Sequence, residues 1–170
     1  MKKAVLLDRD GVIVEDIGYH HKIEDFKLMP NAIEGLKLLK NYLLIIITNQ
    51  SGIGRGYYTM KDFEKFNNHL IQELKKHNIK VEKTYVCPHK PEDNCQCRKP
   101  SSKLIKDAAK EFDIDLEGSF AIGDRENDIE FGKNGNCRTI LISNKEIKNK
   151  TKADYTAKDL LDAARWILNG

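Results

Sequence analysis

The chain has 170 residues, a length that favours one domain holding its own core. Lysine and arginine together number 29 against 26 acids, and the net charge of +3 is too small to imply nucleic acid or an anionic membrane as partner. At 40% apolar and 32% charged residues the composition is that of an ordinary water-soluble protein. The longest strongly apolar run, Leu43 to Ile47, falls far short of the ~20 residues of a membrane span. Lys2-Lys3 precede too short an apolar stretch for a secretory leader, so the cytoplasm is the expected compartment. The four cysteines do not make a disulfide scaffold, and three of them crowd beside one histidine, which points to metal.

Short buried-strand signals alternate with amphipathic stretches along the chain, the pattern of an α/β protein on a parallel sheet. Strands are expected at Lys3–Leu7, Tyr42–Ile47, Lys83–Cys87, Phe120–Ile122 and Thr139–Ile142. A first helix is expected to open at Pro30 and to carry Ile33, Leu36, Leu38 and Leu39. A second follows Thr59, whose spacing to Asp62 is that of a capping box, and runs to about His77. Further helices are expected from Ser101 to Phe112, after Asp124, and from Thr156 to Leu168. No repeat or linker divides the sequence, and 1–170 reads as a single domain. In open parallel sheets ligands bind beyond the carboxyl ends of the strands, and three polar clusters arrive there in this chain.

Asp8 and Asp10 end the first strand signal, two residues apart and so on one side of an extended chain. Carboxylates closing a buried run need a cation or a proton, and Asp124 arrives in the same way after Ile122-Gly123. Together they suit Mg²⁺; each alone reads equally well as a helix cap. Thr48-Asn49-Gln50-Ser51-Gly52-Ile53-Gly54-Arg55-Gly56 offers a hydroxyl, amides and small residues that let backbone N–H groups approach an anion, or else a flexible surface turn. Cys87-x-His89, five residues, then Cys95-x-Cys97 matches a closed tetrahedral zinc site, a structural staple for the loop at about 87–97. Arg98-Lys99 follows that loop and is expected to face an anion. Cys137 reads as a core residue, His20-His21 as loop residues near the substrate, and Lys145, Lys148, Lys150 and Lys152 as a solvated face.

Asp8-Arg9-Asp10-Gly11-Val12, Thr48-Asn49-Gln50, Lys99 and Gly123-Asp124-x-x-x-Asp128 resemble, in order, the four motifs of the haloacid dehalogenase (HAD) superfamily of phosphatases. The zinc loop and Cys97-Arg98-Lys99-Pro100 are similar to its histidinol-phosphatase-like branch. Within that branch the run from Thr48 to Tyr57, and Asp16-Ile17-Gly18-Tyr19-His20 ahead of Phe26, are similar to enzymes acting on a heptose bisphosphate. The resemblance implies a three-layer Rossmann-like fold without a large cap domain, and a Mg²⁺-dependent phosphatase removing the 7-phosphate through an aspartyl phosphate. It implies Asp8 as nucleophile, Asp10 as acid and base, and Thr48 and Lys99 as partners of the phosphoryl oxygens. Mg²⁺ would be held by the side chains of Asp8 and Asp124 and the carbonyl of Asp10, and structural Zn²⁺ by Cys87, His89, Cys95 and Cys97. Substrate would be recognised by Arg9, Asp16, Ile17, Gly18, Tyr19, Asn49, Gln50, Ser51, Arg98 and Arg125, with Arg98 on the second phosphate. The gap between His89 and Cys95 is short for the branch, and Val12 stands where many relatives carry threonine. Histidinol-phosphate phosphatase, a nucleic-acid 3′-phosphatase and a non-catalytic zinc-loop module are the alternatives. A small-molecule sugar bisphosphate, no nucleic acid, no membrane and a monomeric chain are expected.

Overall fold

In the computed structural model, which describes residues 1–144 and 151–170, every apolar run identified above as a strand enters one parallel sheet. The strands are β1 (Ala4–Leu7), β2 (Leu43–Asn49), β3 (Val81–Cys87), β4 (Phe120–Gly123), β5 (Arg138–Ile142) and β6 (Tyr155–Ala157). Their order is β3-β2-β1-β4-β5-β6, so the chain winds one way from β1 and then the other way from β4. The carboxyl ends of β1 and β4 therefore flank the switch point, where neighbouring connections part and leave a crevice.

Helices cover both faces: α1 (Ala32–Leu38), α3 (Met60–Lys76) and α6 (Leu160–Asn169) on one, α4 (Lys103–Phe112) and α5 (Glu126–Asn134) on the other. Strand residues alternate between these layers. Val5, Leu7, Leu44 and Ile46 pack with Leu36, Phe66, Leu70 and Ile167, whereas Leu6, Ile45, Ile47 and Ala121 pack with Ile105, Ala108 and Phe131. No residue run large enough for a cap domain interrupts this frame; the β1–α1 connection holds only one turn of 3₁₀ helix, Ile23–Asp25. Among the described residues no helix is long and apolar enough to cross a membrane.

Several boundaries differ from expectation. Pro30 does not open α1: Asn31 sits in the left-handed region at φ 60°, which asparagine tolerates, and helix begins only at Ala32. The last helix begins at Leu160 rather than Thr156, because Asp159 caps it by accepting from the Asp162 N–H at 2.8 Å. Tyr155–Ala157 forms the edge strand β6 instead, a run of three residues too short to show a period. Ser51–Gly54 forms one helical turn, α2, within the segment read above as an anion cradle or a surface turn. The Thr59–Asp62 capping box stands as expected at the start of α3. Lys152 is exposed; Lys145, Lys148 and Lys150 lie outside the described residues.

Candidate active site

Register puts Leu7 beside Ile46 on one side and Ile122 on the other, so the residues that follow in each strand meet at one rim. Asp8 donates its N–H to the Ile122 carbonyl at 2.9 Å, the last rung before the chains part. Two glycines make the convergence possible. Gly11 has φ +83°, and a Cβ there would stand 2.3 Å from Asp124 Oδ2. A Cβ on Gly123 would stand 2.0 Å from Asp128 Cβ. Either would push a carboxylate out of the site.

The centre is the buried ammonium of Lys99. Its Nζ donates to Asp8 Oδ1 at 2.8 Å and the Ile47 carbonyl at 2.9 Å, and pairs with Asp128 Oδ1 at 2.6 Å. Those three partners account for its three protons. Burial opposes the charge, but the facing carboxylates of Asp8 and Asp128 hold the Lys99 pKa above its ordinary value. The backbone of Lys99 is fixed as well: its N–H donates to Asn49 Oδ1 at 3.1 Å, and Asn49 Nδ2 donates back to its carbonyl at 3.4 Å. Asp128 was named above only as part of a motif. Its place is set by helix α5, whose first turn returns it to Lys99; the spacing from Asp124 was the signal.

The carboxylates remain crowded. Burial, with Asp128 and Asp10 adding to it and Lys99 opposing, pushes Asp8 up to about 7. Burial, then the nearby Asp128, pushes Asp124 up to about 6. Oxygens of Asp8, Asp124 and Asp128 lie within 4.8 Å of one another, and buried Asp124 Oδ1 has no hydrogen-bond partner. A buried carboxylate oxygen with no hydrogen bond, only Arg125 Nε 3.9 Å away, among raised carboxyls is what a divalent cation would satisfy, so the donor set fits a hard cation such as Mg²⁺.

Asp10 is gripped from beneath. Arg9 Nε donates to Asp10 Oδ1 at 2.9 Å and Arg9 Nη2 to Oδ2 at 3.0 Å. The guanidinium is fully buried over Phe66, 4.7 Å from the ring centre, and its Nη2 also reaches the His20 carbonyl at 3.0 Å. Arg9 therefore does not reach the pocket as a substrate-binding group; a buried guanidinium spends itself on the adjacent carboxylate. Ile17 is exposed and does not line the pocket either. The pocket, about 340 Å³, is lined by Asp8, Asp10, Asp16, Gly18, Tyr19, Thr48, Asn49, Gln50, Ser51, Arg98, Lys99 and Arg125 from the expected set. His20, Tyr58, Asn127 and Asp128 join them. Arg125 Nη2 pairs with Asp16 Oδ2 at 2.7 Å across the mouth, and Arg98 Nη1 donates to the His89 carbonyl at 3.2 Å. A larger groove of about 660 Å³ at the opposite rim carries lysines and no converging carboxylates, so the chemistry lies in the smaller one.

Cys87 closes β3, and Cys87, His89, Cys95 and Cys97 come together with ligand atoms within 4.8 Å of one another. The sulfurs stand 3.0 to 3.6 Å apart and His89 Nδ1 is 3.3 Å from Cys97 Sγ. These separations are far beyond the ~2.05 Å of a disulfide and near the ~3.8 Å edge of a tetrahedron with ~2.3 Å zinc–sulfur bonds. The cluster can hold zinc. Cys137 is buried in the core, which pushes its thiol up to about 12.

The HAD-hydrolase-like family model matches residues 96–163. D-glycero-beta-D-manno-heptose-1,7-bisphosphate 7-phosphatase of Helicobacter pylori strain J99 is 44% identical over 168 residues, covering 97% of each chain. D-glycero-alpha-D-manno-heptose-1,7-bisphosphate 7-phosphatase of Campylobacter jejuni is 45% identical over 148 residues, 86% of this chain and 85% of that protein. A crystal structure of D,D-heptose 1,7-bisphosphate phosphatase from B. bronchiseptica with magnesium and phosphate superposes with a TM-score of 0.86 at 26% identity, over 98% of each chain.

Two outcomes test the metal sites. Because the native pKa values of Asp8 and Asp124 lie above their unfolded ones, the native state binds more protons between about pH 4 and 7, and the metal-free protein should lose stability as pH rises through that window. Mg²⁺ needs those carboxylates ionised, so its addition should raise Tm more at about pH 7.5 than at about pH 5; an equal or larger gain at the lower pH contradicts the site. Elemental analysis of the purified protein should return one zinc per chain, lost together with thermal stability in Cys95→Ser; a fully stable, zinc-free preparation contradicts the staple.

Proposed function

The chain belongs to the HAD-like hydrolase family, among the D-glycero-D-manno-heptose 1,7-bisphosphate 7-phosphatases, and we propose that it removes the 7-phosphate of such a heptose bisphosphate through an aspartyl phosphate on Asp8. The observation that carries the reading is the asymmetric hold on Asp8. Its Oδ1 is anchored by Lys99, while Oδ2 makes no hydrogen bond among the described residues, and Asp8 lines the pocket.

A carboxylate needs no base to become a nucleophile once it is ionised. Asp8 Oδ2 forms the new bond to phosphorus as the bond from phosphorus to the sugar oxygen breaks. Asp10 gives that oxygen a proton, then takes one from the water that attacks phosphorus and returns Asp8 to its carboxylate. Thr48 meets a phosphoryl oxygen, and the Lys99 ammonium, its protons held by Asp8, Asp128 and Ile47, adds positive charge beside the phosphoryl group, the positioning and charge neutralisation on which phosphoryl transfer depends. Magnesium, which HAD phosphatases use, would be held by Asp8, Asp124 and the Asp10 carbonyl, and supplies positive charge to the phosphoryl oxygens and the nucleophile. Zinc at Cys87, His89, Cys95 and Cys97 would brace the loop that ends at Arg98-Lys99.

The remaining cations serve the rest of the substrate. Arg98 and Arg125 line the mouth and carry charge beyond that needed at Asp8, which suits a second phosphate. Asp16, Gly18, Tyr19, Asn49 and Ser51 supply polar edges for sugar hydroxyls. A sugar phosphate and reduced zinc-binding thiols both belong in the cytoplasm, the compartment we propose.

The test is a phosphate-release screen of the two heptose 1,7-bisphosphate anomers, histidinol phosphate and a 3′-phosphorylated oligonucleotide, with wild type and Arg98→Ala. A heptose bisphosphate should be turned over with the highest kcat/KM, and Arg98→Ala should lower that value at least about tenfold more than it lowers turnover of a sugar monophosphate. Preference for histidinol phosphate or the oligonucleotide overturns the substrate, and equal losses deny Arg98 the second phosphate.

A further inference from the structure

We infer that Gln50, held by Tyr58, is a positioning residue that aims two groups at once: it turns the Thr48 hydroxyl proton into the pocket and leaves Oδ1 as the oxygen through which Asp10 moves its proton. The inference rests on the phosphatase reading above and names how that site is set.

Gln50 is 3% exposed, and every hydrogen-bonding position of its amide that the surroundings reach is used. Nε2 donates to Asp10 Oδ2 at 2.8 Å and to Thr48 Oγ1 at 2.8 Å. Oε1 accepts from the Tyr58 hydroxyl at 2.5 Å. An amide nitrogen has two protons, and both are spent. The opposite orientation of the amide would set Oε1 against the Asp10 carboxylate, acceptor against acceptor. A tyrosine hydroxyl that donates to Oε1 reinforces the orientation Asp10 requires. Tyr58 itself is 5% exposed and stacked on His21, with ring centres 4.6 Å apart, so its hydroxyl has little freedom. Gly52 makes the close fit possible: a Cβ there would stand 2.1 Å from the Tyr58 ring.

Two consequences follow from counting donors. Thr48 Oγ1 already accepts from Gln50, and no acceptor for its own proton lies within bonding distance among the described residues. The proton therefore points into the pocket that Thr48 lines, where a phosphoryl oxygen can accept it. At Asp10, Oδ2 accepts from both Gln50 Nε2 and Arg9 Nη2, whereas Oδ1 accepts only from Arg9 Nε. Oδ2 accepts from two donors and Oδ1 from one, and Asp10 lines the pocket, so Oδ1, the oxygen with the spare lone pair, carries the proton to the sugar oxygen and receives the one from water. Tyr58 touches no substrate in this account; it acts through Gln50.

The experiment is a double-mutant cycle on kcat and KM with a heptose bisphosphate, using Tyr58→Phe, Gln50→Leu and the pair, with Tm measured for each. Tyr58→Phe should lower kcat roughly three- to tenfold with KM unchanged within about twofold, and Gln50→Leu roughly tenfold or more. In the Gln50→Leu background Tyr58→Phe should lower kcat by less than about twofold, because the group it acts through is gone. Gln50→Glu, which replaces the two-proton donor by an acceptor facing Asp10, should be no better than Gln50→Leu. An unchanged kcat in Tyr58→Phe, an equal loss in both backgrounds, or a loss confined to KM overturns the relay while the phosphatase reading stands. A wild type that releases phosphate from none of the screened esters overturns that reading and the relay with it.

Discussion

A lysine ammonium taken out of water between two carboxylates is the constraint on which the rest of the site depends. Lys99 is 4% exposed, and Asp8 and Asp128 are its counter-charges. Breaking such an arrangement by removing one member leaves a buried charge unmatched, typically at a cost of about 3–5 kcal/mol. The fold is arranged so that none is missing. Strand β1 delivers Asp8, the first turn of α5 returns Asp128, and the loop leaving the cysteine cluster delivers Lys99 with Asn49 clamping its backbone. Because the ammonium has spent its donors on Asp8 Oδ1, Asp128 and Ile47, the far oxygen of Asp8 is left without a hydrogen bond among the described residues.

Four side chains that could hold one metal ion sit in the loop that delivers Lys99. Lys99 comes from a segment with no strand or long helix between Cys87 and Lys103. A loop of that length has many conformations, and its ordering opposes placement of any single side chain. Tying Cys87, His89, Cys95 and Cys97 to one point shortens the free chain to the step from Cys97 to Lys99. Arg98, whose guanidinium rests on the His89 carbonyl, is placed by the same brace.

Much of this was legible in the primary structure, and the limits have physical causes. Four strands were visible because parallel-sheet strands, buried on both faces, read as continuous apolar runs, and the half-buried edge strand β3 through its β-branched and aromatic end, Thr84-Tyr85-Val86. β6 was not, since three residues show no period and Thr156 reads as readily into the following helix. The carboxylates, Lys99 and the metal-ligating cysteines declare themselves by residue type and spacing. What spacing does not give is direction. Arg9 sits between Asp8 and Asp10 and was expected at the substrate, yet its side chain points inward, against Phe66. Gln50 was expected there too, and its amide faces Asp10 and Thr48. Tyr58 carried no signal, because a tyrosine before a helix looks like any core aromatic until its hydroxyl is seen at Gln50.

The proposed chemistry forms a covalent bond between phosphorus and one carboxylate, that of Asp8. An Asp10→Asn variant keeps the nucleophile but loses both the acid for the sugar oxygen and the base for water, so with an activated aryl phosphate, whose leaving group needs no proton, a rapid acid quench should trap the intermediate. Mass analysis of the digested protein should then find one phosphoryl group on the peptide that begins the chain, carried by Asp8 and absent when Asp8 is also replaced. A peptide that remains unmodified while substrate is consumed, or a phosphoryl group on any other residue, would contradict the assignment.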